Sequence, residues 1–327
     1  MDSAARPSAS RSFPKDATLA DIGEFGLIDL LAGDLHQGEH VFLGPGDDAA
    51  VVRTPRGHVV VSTDVLIEGR HFRREWGSAE DLGHRAAAQN LADIAAMGGR
   101  TTALTLGLAA PPTLPVAWAI EFMRGFAAEV EEVGASVVGG DVSAASEVMV
   151  AVTAMGACDQ APVTRSGAQA GDVLALCGRQ GWSAGGLAVL GRGFRSPRVL
   201  VEAFCRPRPP YAAGPAAAVA GATAMIDVSD GLIADAAHLA VASGVAIDID
   251  TSALEVPEPL QAVASATGSD PLRFVLTGGE DHSLLATFPA GSALPEGFTV
   301  IGEVRAGEGV TVDGAAWEDA GGHSHFS

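Results

Sequence analysis

Apolar residues recur along the chain with two periods, one typical of strands and the other typical of amphipathic helices. The β-branched run HVVVST at 58–63 predicts a strand that ends at Asp64. The segment after Ser78 carries two acids in its first turn and then a largely apolar run up to Gly98, which predicts a helix. The rest of this half predicts, in order, a strand at 101–109, a helix at 114–133, a strand at 135–138, a GGD turn at 139–141 and a strand at 147–156.

The turn-rich stretch 157–172 separates these elements from a second set. Beyond it, strand patterns such as DVLALCG, ATAMIDV, VAIDID, HSLLATF and FTVIGEV alternate with short helical patterns. We therefore predict an α/β (α+β) fold, with an amino-terminal mixed sheet covered by helices on one face and a carboxy-terminal α/β domain. The predicted divisions are a disordered tail at 1–18, an amino-terminal domain at 19–157 and a carboxy-terminal domain at 158–327.

Composition and charge narrow the class of protein. At 327 residues and 47% hydrophobic content, the chain is long enough for two domains and is not a disordered protein. No apolar run approaches the roughly 18 residues of a membrane helix, and the polar segment 1–15 reads as a tail, not as a secretory signal. The three cysteines lack metal-ligand spacing, as expected of reduced thiols in a cytoplasmic protein. A formal net charge of −20 argues against nucleic acid and anionic membranes as partners.

The only lysine of the chain is Lys15. A P-loop, a Schiff base and a protein-kinase site each depend on a lysine within the folded domain, so the sequence argues against all three. If the protein handles phosphate groups, arginines and metal ions have to supply the positive charge.

Acidic residues stand at strand ends and beside glycine turns, where α/β proteins place their ligand sites. They are Asp47, Asp48, Asp64, Asp93, Asp141, Asp227, Asp230, Glu280 and Asp281. Each alone has a structural explanation, because Asp beside Gly is a turn signal and Asp230 could cap the helix that follows it. Asp93 differs, since it lies in a largely apolar helical segment, although a solvated helix face would explain it as well.

Several carboxylates in one cleft, with no lysine among them, would repel one another unless cations were present. Hard oxygen ligands of this kind select Mg²⁺ or Ca²⁺ over zinc and copper. Mg²⁺ usually binds through one or two carboxylates together with substrate phosphates. This many acids therefore predict several Mg²⁺ ions that bridge a polyphosphate.

Seven motifs, in this order and spacing, resemble the thiamine-monophosphate kinase family: GDDAAVV, STDVLIEGRHF, NLADIAAMGG, VVGGD, VTRSGAQAGD, DVSDGL and TGGEDH. The resemblance covers nearly the whole chain and implies the fold shared with aminoimidazole ribonucleotide synthetase. It also implies a homodimer in which the amino-terminal sheets of two subunits pair. The implied activity is transfer of the γ-phosphoryl group of ATP, the co-substrate, to thiamine monophosphate, which gives thiamine diphosphate.

The resemblance further implies roles for the residues at matching positions. The Mg²⁺ ligands would be Asp48, Ser62, Thr63, Asp64, Asp93, Asp141, Asp227 and Asp230. The ATP contacts would be Gly140, Asp141, Arg165 and Ser229, and the contacts to the thiamine phosphate would be His71, Glu280 and His323. The catalytic set would be Asp64, Asp141, Arg165 and Asp230. An acceptor phosphate is largely ionised near neutral pH, so no general base is expected.

The chain departs from the family pattern at two positions. The family often has Tyr after the GGED run, where this chain has His282. His323 aligns with an aromatic residue that can stack on thiamine, and Trp317 or Phe326 could take that part instead, because an imidazole is a weaker platform.

Three other functions stay open at this point. One is a sister enzyme of the same fold, such as selenophosphate synthetase, aminoimidazole ribonucleotide synthetase or the hydrogenase-maturation carbamoyl dehydratase. The reactive Cys and Lys of the first and the terminal cysteine of the last have no counterpart here. Clustered aspartates also suit a metal-dependent phosphohydrolase. A non-catalytic thiamine-phosphate or metal-binding protein would bind ligands without turning over ATP.

Overall fold

The computed structural model describes residues 17–19, 21–22, 27, 30–31, 35–43, 51–52, 59–317 and 322. Within these residues, no helix combines the length and the apolar character that crossing a membrane requires. The chain divides into two compact units. Unit 1 comprises Met1–Thr54, Thr63–Ala87 and Thr102–Ala154, and unit 2 comprises Pro55–Ser62, Ala88–Thr101 and Met155–Ser327.

A four-stranded sheet organises unit 1. The elements of this half of the chain are β1 (Val41–Leu43), β2 (Val51–Val52), β3 (Val59–Ile67), α1 (Ala79–Ala96), β4 (Arg100–Ala110), α2 (Val116–Glu132), β5 (Ser136–Ala144) and β6 (Met149–Ala157). The strand order is β3-β6-β4-β5, and β1 and β2 form a separate antiparallel pair. Because β4 and β5 run parallel, the chain needs the crossover helix α2 between them.

Glycines let the two helices approach closely within unit 1. A Cβ on Gly83 would lie 2.0 Å from the carbonyl oxygen of Phe122, and one on Gly125 would lie 2.0 Å from that of Glu80. Phe122 is buried and stacks on Phe126, with 6.1 Å between the ring centroids. The close backbone contacts therefore hold α2 against α1, while the stacked rings pack along α2 itself.

A mixed seven-stranded sheet organises unit 2. Its elements are β7 (Val173–Cys177), α3 (Trp182–Leu190), α4 (Arg198–Cys205), α5 (Ala213–Val219), β8 (Ala224–Val228), α6 (Leu232–Ser243), β9 (Ala246–Ile249), α7 (Glu258–Thr267), α8 (Pro271–Thr277), β10 (Ser283–Phe288), β11 (Phe298–Arg305), β12 (Gly309–Val312) and β13 (Ala315–Ala316). The strand order is β13-β12-β9-β11-β7-β10-β8. The pairs are antiparallel except for β9 with β12, which run parallel.

Both faces of this sheet are covered, because successive residues of one strand enter different apolar clusters. In β8, Ile226 packs in a cluster with Leu232 and Leu239 of α6, whereas Met225 packs in a second cluster with Ala217 of α5. Every residue of β8 is accordingly buried. The core therefore fixes the position of the polar residues at the carboxyl end of β8.

The predicted fold class is confirmed, while two local predictions are wrong and one helix was missed. Residues 139–141 do not form a turn but lie inside β5, where Gly140 meets the backbone of β4. The strand predicted to end at Asp64 continues to Ile67, and the helix α8 was not predicted. The helix predicted after Ser78 is confirmed, and Ser78 Oγ accepts the backbone N–H of Asp81 at its start. The domain boundary at 157–158 stays a prediction.

Candidate active site

The DVSDG segment begins in the last two residues of β8 in unit 2 and contains two of the predicted acids. Asp227 is in β8 and only 5% exposed. Asp230 lies in the turn before α6, and its backbone N–H and that of Gly231 both donate to Asp235 Oδ2 at 3.0 Å. Asp235 thus caps the turn from inside the helix and fixes the backbone that carries Asp230.

Asp235 is itself a perturbed acid. Burial raises the pKa of its carboxyl group to about 7, and the nearby charges of Asp227 and Asp230 act in the same direction. One potential ligand atom each of Asp230, Asp235 and His238 lies within 4.8 Å of the others. This side of the segment is therefore strongly acidic, and ionising all of its carboxyl groups together is unfavourable without a cation.

The TGGEDH segment lies directly against the DVSDG segment. The backbone N–H of Glu280 donates to the carbonyl oxygen of Ser229 at 2.9 Å, and that of His282 donates to Val228 at 3.2 Å. Glu280 and His282 adopt positive φ values of 68° and 53°, which non-glycine residues rarely do. Gly279 permits the approach, since a Cβ there would lie 2.0 Å from the Ser229 carbonyl oxygen.

Buried polar groups hold the TGGEDH segment in this conformation. The backbone N–H of Ser183, at the start of α3, donates to Asp281 Oδ1 at 2.9 Å, and Ser183 Oγ donates to the carbonyl oxygen of Glu280 at 2.9 Å. Gln180 Nε2 donates to the carbonyl oxygen of Gly278 at 2.7 Å. Burial raises the pKa of Asp281 to about 6, against the hydrogen bonds from Ser183. The surrounding structure fixes the two unusual backbone conformations.

His282 joins the two segments through its side chain. Its Nδ1 lies 3.0 Å from Asp227 Oδ2, and both side chains are buried. Burial alone would lower the pKa of His282, but the hydrogen bond to Asp227 and the charges of Asp227, Glu280 and Asp93 raise it. The imidazole therefore favours its cationic form at the centre of a group of carboxylates.

Asp93 belongs to the same group. It lies on α1, and its Oδ2 accepts a hydrogen bond from Ser62 Oγ at 2.5 Å. Ser62 and Asp93 come from β3 and α1, so two predicted ligands meet through their side chains. We call Asp93, Asp227, Asp230, Asp235 and Glu280, together with His282, the acidic cluster of unit 2.

Arg165 lies in an exposed loop whose backbone is anchored at several points. The carbonyl oxygen of Arg165 accepts Ser243 Oγ at 3.0 Å, and Ser243 Oγ also accepts the backbone N–H groups of Gly167 and Ala168 at 3.1 Å. The carbonyl oxygen of Thr164 accepts the backbone N–H of Met225 in β8 at 3.1 Å. An anchored backbone with an exposed guanidinium suits the binding of an anion.

The predicted residues of unit 1 lie on the two outer strands of its sheet. Thr63 and Asp64 are on β3, and Thr63 Oγ1 lies 2.8 Å from Thr153 Oγ1. His71 follows β3 closely, and its Nδ1 accepts the backbone N–H of Ile67 at 3.0 Å. Nδ1 is therefore an acceptor, which leaves the proton of the neutral ring on Nε2.

Gly140 and Asp141 are on β5, at the other edge of this sheet. They pair with Leu106 and Gly107 of β4, two places after a bulge between Leu104 and Thr105. Asp141 is exposed, and its Oδ2 accepts Ser143 Oγ at 3.1 Å. Strands β6 and β4 separate β5 from β3, so these residues do not pair with Thr63 or Asp64 across the sheet.

The structure thus assigns the predicted residues to two groups. Unit 2 brings together Ser62, Asp93, Asp227, Ser229, Asp230 and Glu280. Unit 1 carries Thr63, Asp64, His71, Gly140 and Asp141 on its outer strands or directly after them. Asp48 and His323 lie outside the described residues, although Gly322 contacts the backbone of Asp230.

Sequence reasoning missed the parts that Asp235 and Ser183 play in this site. Asp235 had a usable signal, since it is an acid inside a largely apolar helical pattern, as is Asp93. Ser183 had none, because it acts through contacts with residues almost a hundred positions further along the chain. His282 was noted only as a departure from the family pattern, whereas in the fold it is the buried partner of Asp227.

The donor set of the acidic cluster fits hard divalent cations. Carboxylates dominate it, with a serine hydroxyl beside Asp93, and no cysteine is among them. Three acids in the neighbourhood of one turn are costly to ionise together without a cation. Ions held in this way would suit a polyphosphate ligand.

Two family models match the chain in succession. The amino-terminal domain of AIR synthase related proteins matches residues 46–158, and the carboxy-terminal domain of that family matches residues 169–314. Together they cover most of the chain, so the fold family is established.

Relatives with a named activity show which group within this fold family the chain resembles. The thiamine-monophosphate kinase of Mycobacterium tuberculosis is 47% identical over 312 residues, which cover 94% of this chain and 93% of the relative. The crystal structure of the thiamine-monophosphate kinase of Stenotrophomonas maltophilia gives a TM-score of 0.77 at 33% identity and covers 85% of this chain and 93% of that one. The structure of AaThiL complexed with AMPPCP and TMP gives a TM-score of 0.75 at 32% identity, over 95% of this chain and 99% of that one. The chain belongs to the thiamine-monophosphate kinase family.

Proposed function

We propose that this protein transfers the γ-phosphoryl group of ATP to the phosphate of thiamine monophosphate and releases thiamine diphosphate and ADP. The observation that carries the proposal is the acidic cluster of unit 2, in which residues of three family motifs come together. The relatives that cover nearly the whole chain carry this activity in their names, and one solved relative holds an ATP analogue together with TMP.

The reaction needs alignment and charge neutralisation more than proton transfer. An oxygen of the acceptor phosphate forms the new bond to the γ-phosphorus while the bond from that phosphorus to the bridging oxygen of ADP breaks. The acceptor oxygen is already ionised near neutral pH, since a phosphate monoester has a second pKa of about 6. The site accordingly requires no general base, and His282 is engaged with Asp227 instead.

Several Mg²⁺ ions are part of the proposal. Their ligands would be Asp48, Ser62, Thr63, Asp64, Asp93, Asp141, Asp227 and Asp230. The carboxylate-rich donor set supports this choice, because Mg²⁺ prefers oxygen ligands. When bound, the ions neutralise charge on the polyphosphate.

The remaining proposed roles concern binding. Gly140, Asp141, Arg165 and Ser229 would contact ATP, and His71, Glu280 and His323 would contact the thiamine phosphate. Asp64, Asp141, Arg165 and Asp230 would form the catalytic set. The guanidinium of Arg165 offers a fork of donors that matches two phosphate oxygens, and it extends from a loop whose backbone is anchored.

Product analysis tests the proposed activity. The purified protein is incubated with ATP, Mg²⁺ and either thiamine monophosphate or thiamine, and the products are separated and quantified. We expect thiamine diphosphate and ADP in equal amounts from thiamine monophosphate, and neither from thiamine. Free phosphate in place of thiamine diphosphate would instead identify a phosphohydrolase, and ligand binding without any product would identify a binding protein.

The proposal includes a homodimer formed through the sheet of unit 1. Side chains of β3 alternate between covered and exposed positions, and three of the four exposed ones are valines, the fourth being Thr63. Val65 is 41% exposed, and Met149 at the start of β6 is 39% exposed. An apolar sheet face of this kind is typical of an interface.

Light scattering after size exclusion tests the dimer. We expect a mass twice the 33.0 kDa of the chain, and Val65→Glu should reduce it towards the single-chain value. Val241→Glu is the matched control, because Val241 is 81% exposed on α6 of unit 2. A wild-type protein with the mass of one chain would contradict the dimer. The cytoplasm as the location stays a prediction, supported by the free thiols of Cys158, Cys177 and Cys205.

A further inference from the structure

We propose that His282 is a positioning residue that holds the carboxylate of Asp227 in the orientation required to bind a divalent cation. The inference rests on the proposed function in one respect, since it takes Asp227 as a cation ligand. It goes beyond that function by assigning a role to a side chain at which this chain departs from the family pattern.

The first support is the geometry of the pair. His282 Nδ1 lies 3.0 Å from Asp227 Oδ2, which is a hydrogen-bond distance. An ionised carboxylate can only accept, so Nδ1 carries the proton in either state of the ring. Because this contact occupies Oδ2, it leaves Oδ1 for a cation. A hydrogen bond behind a metal ligand is a common way to fix the ligand's orientation.

The second support is that the imidazole cannot readily move away. The backbone N–H of His282 donates to the carbonyl oxygen of Val228, the residue directly after Asp227. His282 is therefore held by two hydrogen bonds to the end of β8, one from its backbone to Val228 and one from its side chain to Asp227. Both side chains are less than a tenth exposed, so solvent does not compete for the contact.

The third support is that His282 has two unfavourable features, which a purely structural role would not require. His282 Nε2 is buried and has no hydrogen-bond partner among the described residues. The residue also adopts a φ of 53°, which is unfavourable for its type. An apolar side chain would fill the same space without an unpaired nitrogen. The contact to Asp227 is the feature of the site that explains a histidine at this position.

The test compares two substitutions of His282. Asn can place an amide N–H where Nδ1 lies, and it tolerates positive φ better than most residues. Leu has a similar bulk but no donor. In His282→Leu we expect the affinity for Mn²⁺, measured without turnover by electron paramagnetic resonance of the free ion, to fall about 10- to 100-fold. His282→Asn should stay within about threefold of the wild type.

A matched control separates positioning from general loss of stability. His84 Nδ1 pairs with Glu129 at 2.8 Å in unit 1, so His84→Leu removes a similar but only partly buried histidine–carboxylate contact outside the site. This variant should keep the Mn²⁺ affinity of the wild type. Thermal unfolding of all variants shows whether each is folded at the temperature of the titration.

Kinetics give a second readout. His282→Leu should need about 10-fold more Mg²⁺ for half-maximal rate, with the KM for thiamine monophosphate changed less than about threefold. Equal losses in His282→Asn and His282→Leu, or unchanged Mn²⁺ affinity in folded His282→Leu, would overturn the inference. If the wild type binds Mn²⁺ with the predicted dependence on His282 but makes no thiamine diphosphate, the proposed function fails and the positioning role stands.

Discussion

Two adjacent glycines in β5 permit a sharp test of how the strand presents Asp141. Gly139 pairs with Thr105 and Gly140 pairs with Leu106 in β4. A Cβ on Gly140 would lie 2.0 Å from the carbonyl oxygen of Leu106, whereas one on Gly139 would meet nothing within 4 Å. Neither glycine has a positive φ. Replacing each in turn by Ala therefore compares the same chemical change with and without a steric clash.

The size of the expected effect follows from the distance. Ordinary contact begins at 3.4 Å, so β5 has to move about 1.4 Å away from β4 in Gly140→Ala. Overpacking of this kind typically destabilises a protein by about 1–3 kcal/mol. Asp141 follows Gly140 directly and pairs with Gly107, so its carboxylate is displaced with the strand. A misplacement of about 1 Å in a catalytic constellation can lower the rate about 100-fold.

The assay measures kcat with saturating ATP, Mg²⁺ and thiamine monophosphate, together with urea unfolding of each variant. Gly140→Ala should lose about 1–3 kcal/mol of stability and about 100-fold in kcat. Gly139→Ala should unfold at the same or slightly higher urea concentration, because Gly to Ala in a strand removes about 0.5–1 kcal/mol of entropic cost. If both variants behaved alike, close approach of the backbones would not be the reason for Gly140.

Three further predictions address the loops and the core. In the folded protein the pKa of Asp281 is raised from an ordinary value of 3.8 to about 6. Protonation of Asp281 therefore stabilises the folded state, and this contribution is complete below about pH 4 and is lost as the pH rises through 6. Urea unfolding from pH 4.5 to 7.5 should therefore show the wild type losing about 2 kcal/mol relative to Asp281→Asn, and a difference independent of pH would contradict this. Arg165→Ala should raise the KM for ATP about 10-fold or more while that for thiamine monophosphate changes less than about threefold; the reverse pattern in steady-state kinetics would assign the arginine to the other substrate. Phe122→Ala should lower the free energy of unfolding by about 3–5 kcal/mol, because Phe122 is 1% exposed and stacks on Trp118 and Phe126. A loss below about 1 kcal/mol in urea unfolding would show that the surrounding residues repack.

The sequence predicted most elements because their apolar periods agree with their surroundings in the fold. The helix after Ser78 and the buried strand ATAMIDV are examples, since local pattern and tertiary packing favour the same structure there. Helix α8 was missed although Asp270 accepts the backbone N–H of Leu272 and Pro271 occupies the first helical position. Its short apolar run is too brief for a helical period to stand out.

The GGD motif shows the limit of local signals. A pair of glycines before an aspartate is typical of a turn, and the sequence contains nothing that distinguishes a turn from a close approach of two strands. Gly140 serves the second purpose, because Leu106, more than thirty positions earlier, leaves no room for a side chain. Information of this kind resides in the partner strand and not in the motif.

The acidic cluster was predicted as a set of residue types but not as an arrangement. The motifs supplied Asp93, Asp227, Asp230 and Glu280, while Asp235 and Ser183, which bind the backbone of Asp230 and Glu280, belong to none of those motifs. The unusual φ values of Glu280 and His282 also depend on those contacts. The sequence therefore predicts the types of ligand in this site but not their arrangement.

The central claim is that the carboxylates of unit 2 bind divalent cations that hold the polyphosphate. Anomalous diffraction from crystals grown with Mn²⁺ and AMPPCP tests it most directly, because Mn²⁺ replaces Mg²⁺ and can be located by its own signal. We predict peaks within about 2.5 Å of carboxylate oxygens of Asp93 and Asp227. Well-ordered AMPPCP with no Mn²⁺ peak at either carboxylate would contradict the claim.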